Sequence, residues 1–103
     1  YNTKSAWSSP EALSNHSPVY FDSKESDVYS FGILLWEITH RKIPFSRRKI
    51  REVFKYVVKD QFRPQISDAM PTRVAQLIRS CWQTNPKARP TFKHIYIHLK
   101  HLC

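Results

Sequence analysis

Residues 26–39 read Ser-Asp-Val-Tyr-Ser-Phe-Gly-Ile-Leu-Leu-Trp-Glu-Ile-Thr, and this stretch decides the fold class. Its apolar side chains point in every direction around a helix, which predicts a central helix buried on all sides. A fully buried strand is the alternative, but the length of the run favours a helix. Ser26 is the predicted N-cap, and Asp27 lies in the first turn, where a carboxylate is favourable. A chain of 103 residues offers little else to surround such a helix, so we expect an incomplete domain.

Three amphipathic helices are predicted after the central one, at about 47–59, 72–83 and 91–102. Each carries apolar residues at the spacings that place side chains on one helical face. The three apolar stripes are Ile50, Val53, Phe54, Val57 and Val58; Val74, Leu77, Ile78, Cys81 and Trp82; and Phe92, Ile95, Tyr96, Leu99 and Leu102. Four helices and no predicted strand make the fold class all-α.

The connecting segments follow from the prolines and the polar residues. Residues 1–25 are rich in serine and are predicted to be irregular, apart from a short helical turn that starts at Pro10. Two prolines bracket residues 85–90, which are therefore predicted to form a loop. Thr91 follows that loop as the predicted N-cap of the last helix.

The composition narrows the function classes. A single glycine, Gly32, argues against a glycine-rich phosphate loop, and no apolar run reaches the length of about 20 residues that a membrane span needs. Cys81 and Cys103 form no disulfide framework, which favours a reducing, cytoplasmic location. The net charge of +9 permits nucleic acid, an acidic membrane surface, an acidic protein partner or simply a solvated face.

Four stretches, in order, carry a resemblance to a known family. They are Trp7-Ser8-Ser9-Pro10-Glu11, Ser26-Asp27-Val28-Tyr29-Ser30-Phe31-Gly32 with Leu35-Trp36-Glu37, Ile43-Pro44-Phe45, and Cys81-Trp82 followed by Pro86, Arg89-Pro90 and Phe92. Together they resemble the helical lobe of a protein kinase domain, from the end of the activation segment (1–13) onward. The last stretch is similar to the closing signature of the tyrosine kinase and tyrosine-kinase-like groups.

The resemblance implies roles for four residues. Glu11 and Arg89 are implied to form an ion pair between the activation segment and the loop before the last helix, although two solvated surface residues are the simpler reading of the residues alone. Asp27 is implied to accept hydrogen bonds from the backbone of the catalytic loop, or it serves only the helix dipole. Trp7 is implied to belong to the wall that receives the substrate, or it is a core aromatic residue.

The sequence contains none of the motifs that perform kinase catalysis, which are a glycine-rich loop, a strand lysine, a base aspartate and a metal-binding aspartate. We therefore assign no catalytic, cofactor-binding or metal-binding residue, and ATP and Mg²⁺ are implied only for a complete domain. The predicted function is that of a segment of a kinase whose full-length form phosphorylates Ser/Thr or Tyr in signalling proteins. A pseudokinase scaffold is the alternative, because Arg41 stands where many members have glycine and Lys4 where threonine or proline is typical.

Three further features are open to a functional or a plain interpretation. Tyr1, Thr3 and Ser5 lie where phosphorylation of activation segments occurs, or they are unmodified loop residues. The basic helix at 47–59 is a candidate docking surface for a protein substrate or regulator, or a solvated face; nucleic acid is not expected, because the aromatic residues lie in core stripes. The histidines of the last helix share one face, and solvation is a simpler interpretation than metal binding.

Overall fold

A computed structural model of the chain describes residues 5–14, 23–46 and 48–101. Five helices occupy this part of the chain and no strand does. They are α1 (Pro10–Ser14), α2 (Lys24–His40), α3 (Ile50–Phe54), α4 (Thr72–Cys81) and α5 (Phe92–Lys100). A π-helical turn, Lys55–Lys59, continues α3, and a 3₁₀ turn, Pro86–Ala88, precedes α5. The all-α prediction is confirmed. None of the described helices combines the length and apolar character needed to cross a membrane.

The helix α2 crosses α4 at the centre of the fold. The crossing is close because Gly32 lacks a side chain: a Cβ at this position would lie 2.7 Å from the Cβ of Cys81. Two apolar clusters surround the crossing. The larger contains Leu13, Tyr29, Ile33, Trp36, Val53, Val57, Ile78 and Trp82, and the smaller contains Val28, Leu77, Cys81 and Ile95. Every helix therefore contributes at least one residue to the core around α2 and α4.

The start and the exposure of α2 differ from the prediction. The helix begins at Lys24, because Ser23 has extended backbone angles and its hydroxyl accepts a hydrogen bond from the Ser26 N–H at 3.0 Å. Ser26, the predicted N-cap, is buried inside the first turn. The helix is also not buried on all sides, since Leu34 is 44% and Ile38 64% exposed. Within residues 5–14, 23–46 and 48–101, the other helices leave the side of α2 that carries Leu34 and Ile38 uncovered.

The helix predicted at 47–59 is shorter and less regular in the structure. It begins at Ile50, with Lys49 as its N-cap, and residue 47 lies outside the described residues. Its last turn is π-helical: the Asp60 N–H donates to the Lys55 carbonyl at 3.0 Å, five residues earlier. Periodicity does not reveal such a change, because one extra residue per turn still leaves Val57 buried in the core.

The two last helices end before their predicted limits of 83 and 102. The helix α4 ends at Cys81, and the carbonyl of Trp82 accepts a hydrogen bond from the guanidinium of Arg63 at 2.8 Å instead of continuing the helix. The helix α5 ends at Lys100, and Leu102 lies outside the described residues.

The apolar stripe predicted for α5 is only partly buried. Ile95 is buried, whereas Phe92 is 45% and Tyr96 65% exposed. The hydroxyl of Thr91 accepts a hydrogen bond from the His94 N–H, so Thr91 is the N-cap of this helix.

The loop between the π-helical turn and α4 is attached to the C-terminal half of α2. The Trp36 indole N–H donates to the Gln65 carbonyl at 2.9 Å. His40 stacks on the Trp36 ring, and its Nε2 accepts a hydrogen bond from the Ser67 N–H at 2.9 Å. The α2 helix then ends at Arg41, which has left-handed backbone angles (φ 55°, ψ 40°). Arginine therefore adopts here the conformation that glycine usually supplies.

Candidate functional site: the Arg89 junction and the open face of α2

Arg89 joins three separate parts of the chain. Its side chain has no exposed surface, and its guanidinium donates to both carboxylate oxygens of Glu11, at 2.6 and 2.9 Å. It also donates to the carbonyls of Glu25 (2.8 Å), Gln83 (2.8 Å) and Thr84 (3.4 Å). The planar guanidinium suits this arrangement because it offers five N–H donors in fixed directions. One side chain thus ties α1, the start of α2 and the loop before α5 together.

Tyr29 lies between two guanidinium groups below this junction. The guanidinium carbons of Arg63 and Arg89 are 5.1 and 5.2 Å from the centroid of its ring, within cation–π range. The ring is fully buried, and its hydroxyl has no hydrogen-bond partner among the residues that the structure describes. Burial raises the pKa of Tyr29 to about 12, against a smaller opposing effect of the two arginines.

Trp7 is held on α2 by two hydrogen bonds. Its indole N–H donates to the Glu37 carboxylate at 3.0 Å, and its carbonyl accepts from the Ser30 hydroxyl at 2.7 Å. The indole is half-buried and packs against the larger apolar cluster. The indole of Trp7 therefore packs against the core, and one edge of it faces the open side of α2.

Ser9 forms a contact that the sequence reasoning missed. Its side chain is fully buried, and its hydroxyl oxygen lies 2.6 Å from that of Ser26. The same hydroxyl accepts a hydrogen bond from the Ala12 N–H at 3.2 Å, which caps α1. Serine at position 9 stands where the resemblance to kinases leads one to expect alanine, which has no hydroxyl for this contact. The sequence contains a second serine, Ser26, whose hydroxyl could pair with that of Ser9, but only the tertiary structure shows that the two meet.

Asp27 stands at the rim of an open groove on α2. The groove has a volume of about 490 Å³ and is lined by Trp7, Asp27, Ser30, Leu34, Glu37 and Phe92, among others. Asp27 is exposed, and within the described residues its carboxylate makes no hydrogen bond or ion pair. Exposed Leu34 and Phe92 make the groove largely apolar. The role implied for Asp27, anchoring a catalytic loop, stays a prediction.

The structure leaves the predicted phosphorylation sites undecided. Tyr1 and Thr3 lie outside the described residues. Ser5 is half-buried; its hydroxyl accepts a hydrogen bond from the Trp7 N–H at 3.2 Å, and its own N–H donates to the Ser8 hydroxyl at 2.8 Å. A phosphate on Ser5 would therefore have to replace these local contacts.

The basic helix presents charges that are mostly unpaired. Arg48 contacts Glu52 at 3.4 Å in an exposed pair one helical turn apart. The Lys49 N–H and Arg48 hold the pKa of the Glu52 carboxyl below its ordinary value. Four exposed side chains remain without an ion pair among the described residues, and we call them the basic surface: Lys49, Arg51, Lys55 and Lys59. In the same part of the chain, no three His, Cys, Asp or Glu side chains come close enough to hold a metal ion.

The chain is similar in sequence to protein kinases of several organisms. Residues 2–99 match the family described as protein tyrosine and serine/threonine kinase. Over 90 residues, 86% of this chain, it is 41% identical to the megakaryocyte-associated tyrosine-protein kinase of Rattus norvegicus, of which it covers 18%. Over 98 residues, 93% of the chain, it is 36% identical to the dual specificity protein kinase shkD of Dictyostelium discoideum, of which it covers 12%. The chain spans less than a fifth of the length of these relatives. It belongs to the protein kinase family and forms part of the helical lobe of a kinase domain.

Proposed function

We propose that the full-length protein containing this segment is a protein kinase that uses ATP and Mg²⁺ to phosphorylate Ser/Thr or Tyr of proteins in cytoplasmic signalling. The segment itself supplies the framework at the distal end of the helical lobe. It contributes no residue to ATP or metal binding in this proposal. The buried free thiol of Cys81 is compatible with a reducing compartment.

The Arg89 junction is the observation that carries the proposal. It fixes the segment around Trp7 and α1 against α2, so that the segment implied to receive the substrate has a defined position. The junction supports this because a bidentate guanidinium–carboxylate pair has a strongly preferred geometry, unlike a single point charge. The groove at Asp27 lies on the same helix, with a free carboxylate available to backbone donors.

The test is phosphoryl transfer by the full-length protein, with γ-labelled ATP, Mg²⁺ and a mixture of protein substrates. We expect Asp27→Asn to lower the transfer rate about tenfold or more, because a hydrogen bond to a charged group contributes about 1.5–3 kcal/mol. The matched control is Glu25→Gln, since Glu25 is an exposed carboxylate in the same helical turn. Only the backbone carbonyl of Glu25 contacts Arg89, so this variant keeps the junction.

The possible outcomes separate the proposals. A large loss of transfer rate in Asp27→Asn alone supports the anchoring role of Asp27. Equal small losses of rate in Asp27→Asn and Glu25→Gln would mean that Asp27 acts only through the helix dipole. No transfer by the unsubstituted protein contradicts the kinase proposal and favours the pseudokinase scaffold. The backbone at Arg41 adopts the left-handed conformation without glycine, so arginine at this position is compatible with the helix exit. Lys4 lies outside the described residues.

We further propose that the basic surface binds an acidic segment of a protein substrate or regulator. Its four side chains are exposed, and Glu52 is already engaged by Arg48 and the Lys49 N–H. Binding of a fluorescent Glu-rich peptide to the full-length protein should weaken severalfold in a Lys55→Gln variant and at higher salt. Arg79→Gln on α4 is the control for loss of exposed charge. Equal weakening in the control would show that only net charge matters.

A further inference from the structure

A second cavity lies between α4 and α5, away from the Arg89 junction. Its volume is about 280 Å³, and it is lined by Arg73, Gln76, His98 and His101. All four side chains carry N–H donors or can do so, and none of the described residues lining the cavity is acidic. Two come from α4 and one from α5, with His101 just beyond the end of α5. Helix packing therefore brings together two pairs of donors, Arg73 with Gln76 and His98 with His101, that are distant from each other in sequence.

The His98 ring carries an unused polar atom at this place. Its Nε2 is buried and has no hydrogen-bond partner in the described part of the chain, although His98 as a residue is only partly buried. Buried polar nitrogen atoms without partners are uncommon in folded proteins, since the unmade hydrogen bond costs free energy. Arg73 and Gln76 are exposed, and neither side chain makes a hydrogen bond or an ion pair within the described residues. The Arg73 guanidinium and the Gln76 amide N–H groups are therefore free to donate to a ligand in the cavity.

The charge around the cavity favours an anion. The sequence contains no Asp or Glu after Asp68, so neither α4 nor α5 has a carboxylate to neutralise the cations. Arg73 and Gln76 also lie near the N-terminal end of α4, where the helix dipole is positive, and the N-cap Pro71 supplies no side-chain acceptor. The Arg73 guanidinium in turn disfavours a transition metal on His98 and His101, because it is a permanent cation.

We propose that this cavity binds a phosphate-type oxyanion, namely inorganic phosphate or a phosphomonoester group on a peptide. Arg73 would donate two parallel hydrogen bonds, as guanidinium groups do to phosphate. The Gln76 amide and the ring N–H groups of His98 and His101 would donate to the remaining oxygens. A small rotation of the His98 ring would bring its Nε2, which is buried and has no partner among the described residues, to the anion. This site is independent of the proposed phosphoryl transfer.

The test is calorimetric titration of the full-length protein with inorganic phosphate at constant ionic strength. We expect saturable binding with a dissociation constant of about 1 mM, and at least about tenfold weaker binding in Arg73→Gln. His98→Phe should weaken binding severalfold, because it removes one donor and keeps a ring of similar size. Arg79→Gln is the matched control: Arg79 is an exposed arginine of α4 that does not line the cavity, and its loss should leave binding within twofold.

A second titration, with a peptide carrying one phosphoserine between neutral residues, separates the two sources of the group. Tighter binding of this peptide than of inorganic phosphate assigns the site to phosphorylated protein segments, and equal or weaker binding assigns it to the free anion. Three results would overturn the site: no saturable binding of either probe, equal losses in Arg73→Gln and Arg79→Gln, or full binding in His98→Phe. Melting temperatures of all variants check that each is folded, which is expected because Arg73 and Arg79 are exposed.

Discussion

The two members of the ion pair, Glu11 and Arg89, should contribute unequally to the free energy of unfolding. Arg89→Ala strands the carboxylate of Glu11 and leaves the carbonyls of Glu25, Gln83 and Thr84 without their donor. We expect a loss of about 4–5 kcal/mol, at the upper end for breaking a buried ion pair, because these carbonyls and a cavity add to the lost charge interaction. Glu11→Ala removes only the carboxylate, which is 29% exposed, and leaves the guanidinium hydrogen-bonded to carbonyls. We expect about 2–3 kcal/mol for it.

The assay is urea unfolding of the full-length protein and its variants, followed by tryptophan fluorescence, with the slope of the transition checked for constancy. The double variant should lose little more than Arg89→Ala alone, so that the double-mutant cycle gives a coupling of about 2 kcal/mol. A control cycle uses Arg48 and Glu52, an exposed pair at 3.4 Å with side chains 49% and 40% exposed. Solvent screens that pair, and it should show little or no coupling.

Two results would refute this reasoning about the junction. Losses in Glu11→Ala and Arg89→Ala that add within about 0.5 kcal/mol would mean that the two charges do not interact energetically. A larger loss in Glu11→Ala than in Arg89→Ala would mean that the carbonyl contacts of the guanidinium contribute nothing.

Three further changes test the packing around α2. Gly32→Ala should destabilise the protein by about 1–2 kcal/mol in thermal unfolding, because the new Cβ would lie 2.7 Å from the Cβ of Cys81. This cost exceeds the gain from the better helix propensity of alanine. Adding Cys81→Ala should not restore stability, since alanine keeps the Cβ atom at position 81. Tyr29→Phe should stabilise the protein by about 1 kcal/mol in urea unfolding by removing a buried hydroxyl without a partner. The pKa of Tyr29 is raised from 10.0 to about 12, so its neutral form favours the folded state below pH 10. This contribution is lost as the pH rises toward 12. Unfolding measured over a pH series should show the loss in the unsubstituted protein and not in Tyr29→Phe. Arg41→Gly should raise the melting temperature through a gain of about 0.5–1 kcal/mol, since φ is 55° at this position; an unchanged or lower value would contradict the cost assigned to the left-handed arginine.

Local signals explain which parts of the fold were predictable. The apolar stripe of α4 and the cap at Thr91 depend on neighbours within four residues, so periodicity and side-chain chemistry reveal them. The prediction of Ser26 as the cap of α2 was wrong, because Ser23 also suits that position locally and caps the helix instead. Burial of Ser26 against Ser9, 17 residues away, removes it from the role.

The resemblance and the structure supplied different parts of the site. Glu11 and Arg89 lie 78 residues apart, and only the resemblance to kinases proposed them as partners before the structure placed them 2.6 Å apart. Neither source predicted the cavity at Arg73 and His98. Its donors meet because α4 and α5 pack together, whereas the spacing of the histidines alone offered only a solvated face or a metal site as interpretations.

The sequence by itself determined the all-α class, the kinase family and the absence of catalytic motifs from this chain, because each depends on residue types and short spacings. Tertiary structure alone decided which side of α2 is covered, where α4 ends and which polar groups meet. Those outcomes depend on contacts between residues far apart in the chain, such as the hydrogen bond of 2.8 Å that the Arg63 guanidinium donates to the Trp82 carbonyl. The stretch at 26–39 illustrates both parts. Its apolar pattern predicted a central helix correctly, but the pattern could not show that the described neighbours leave Leu34 and Ile38 exposed.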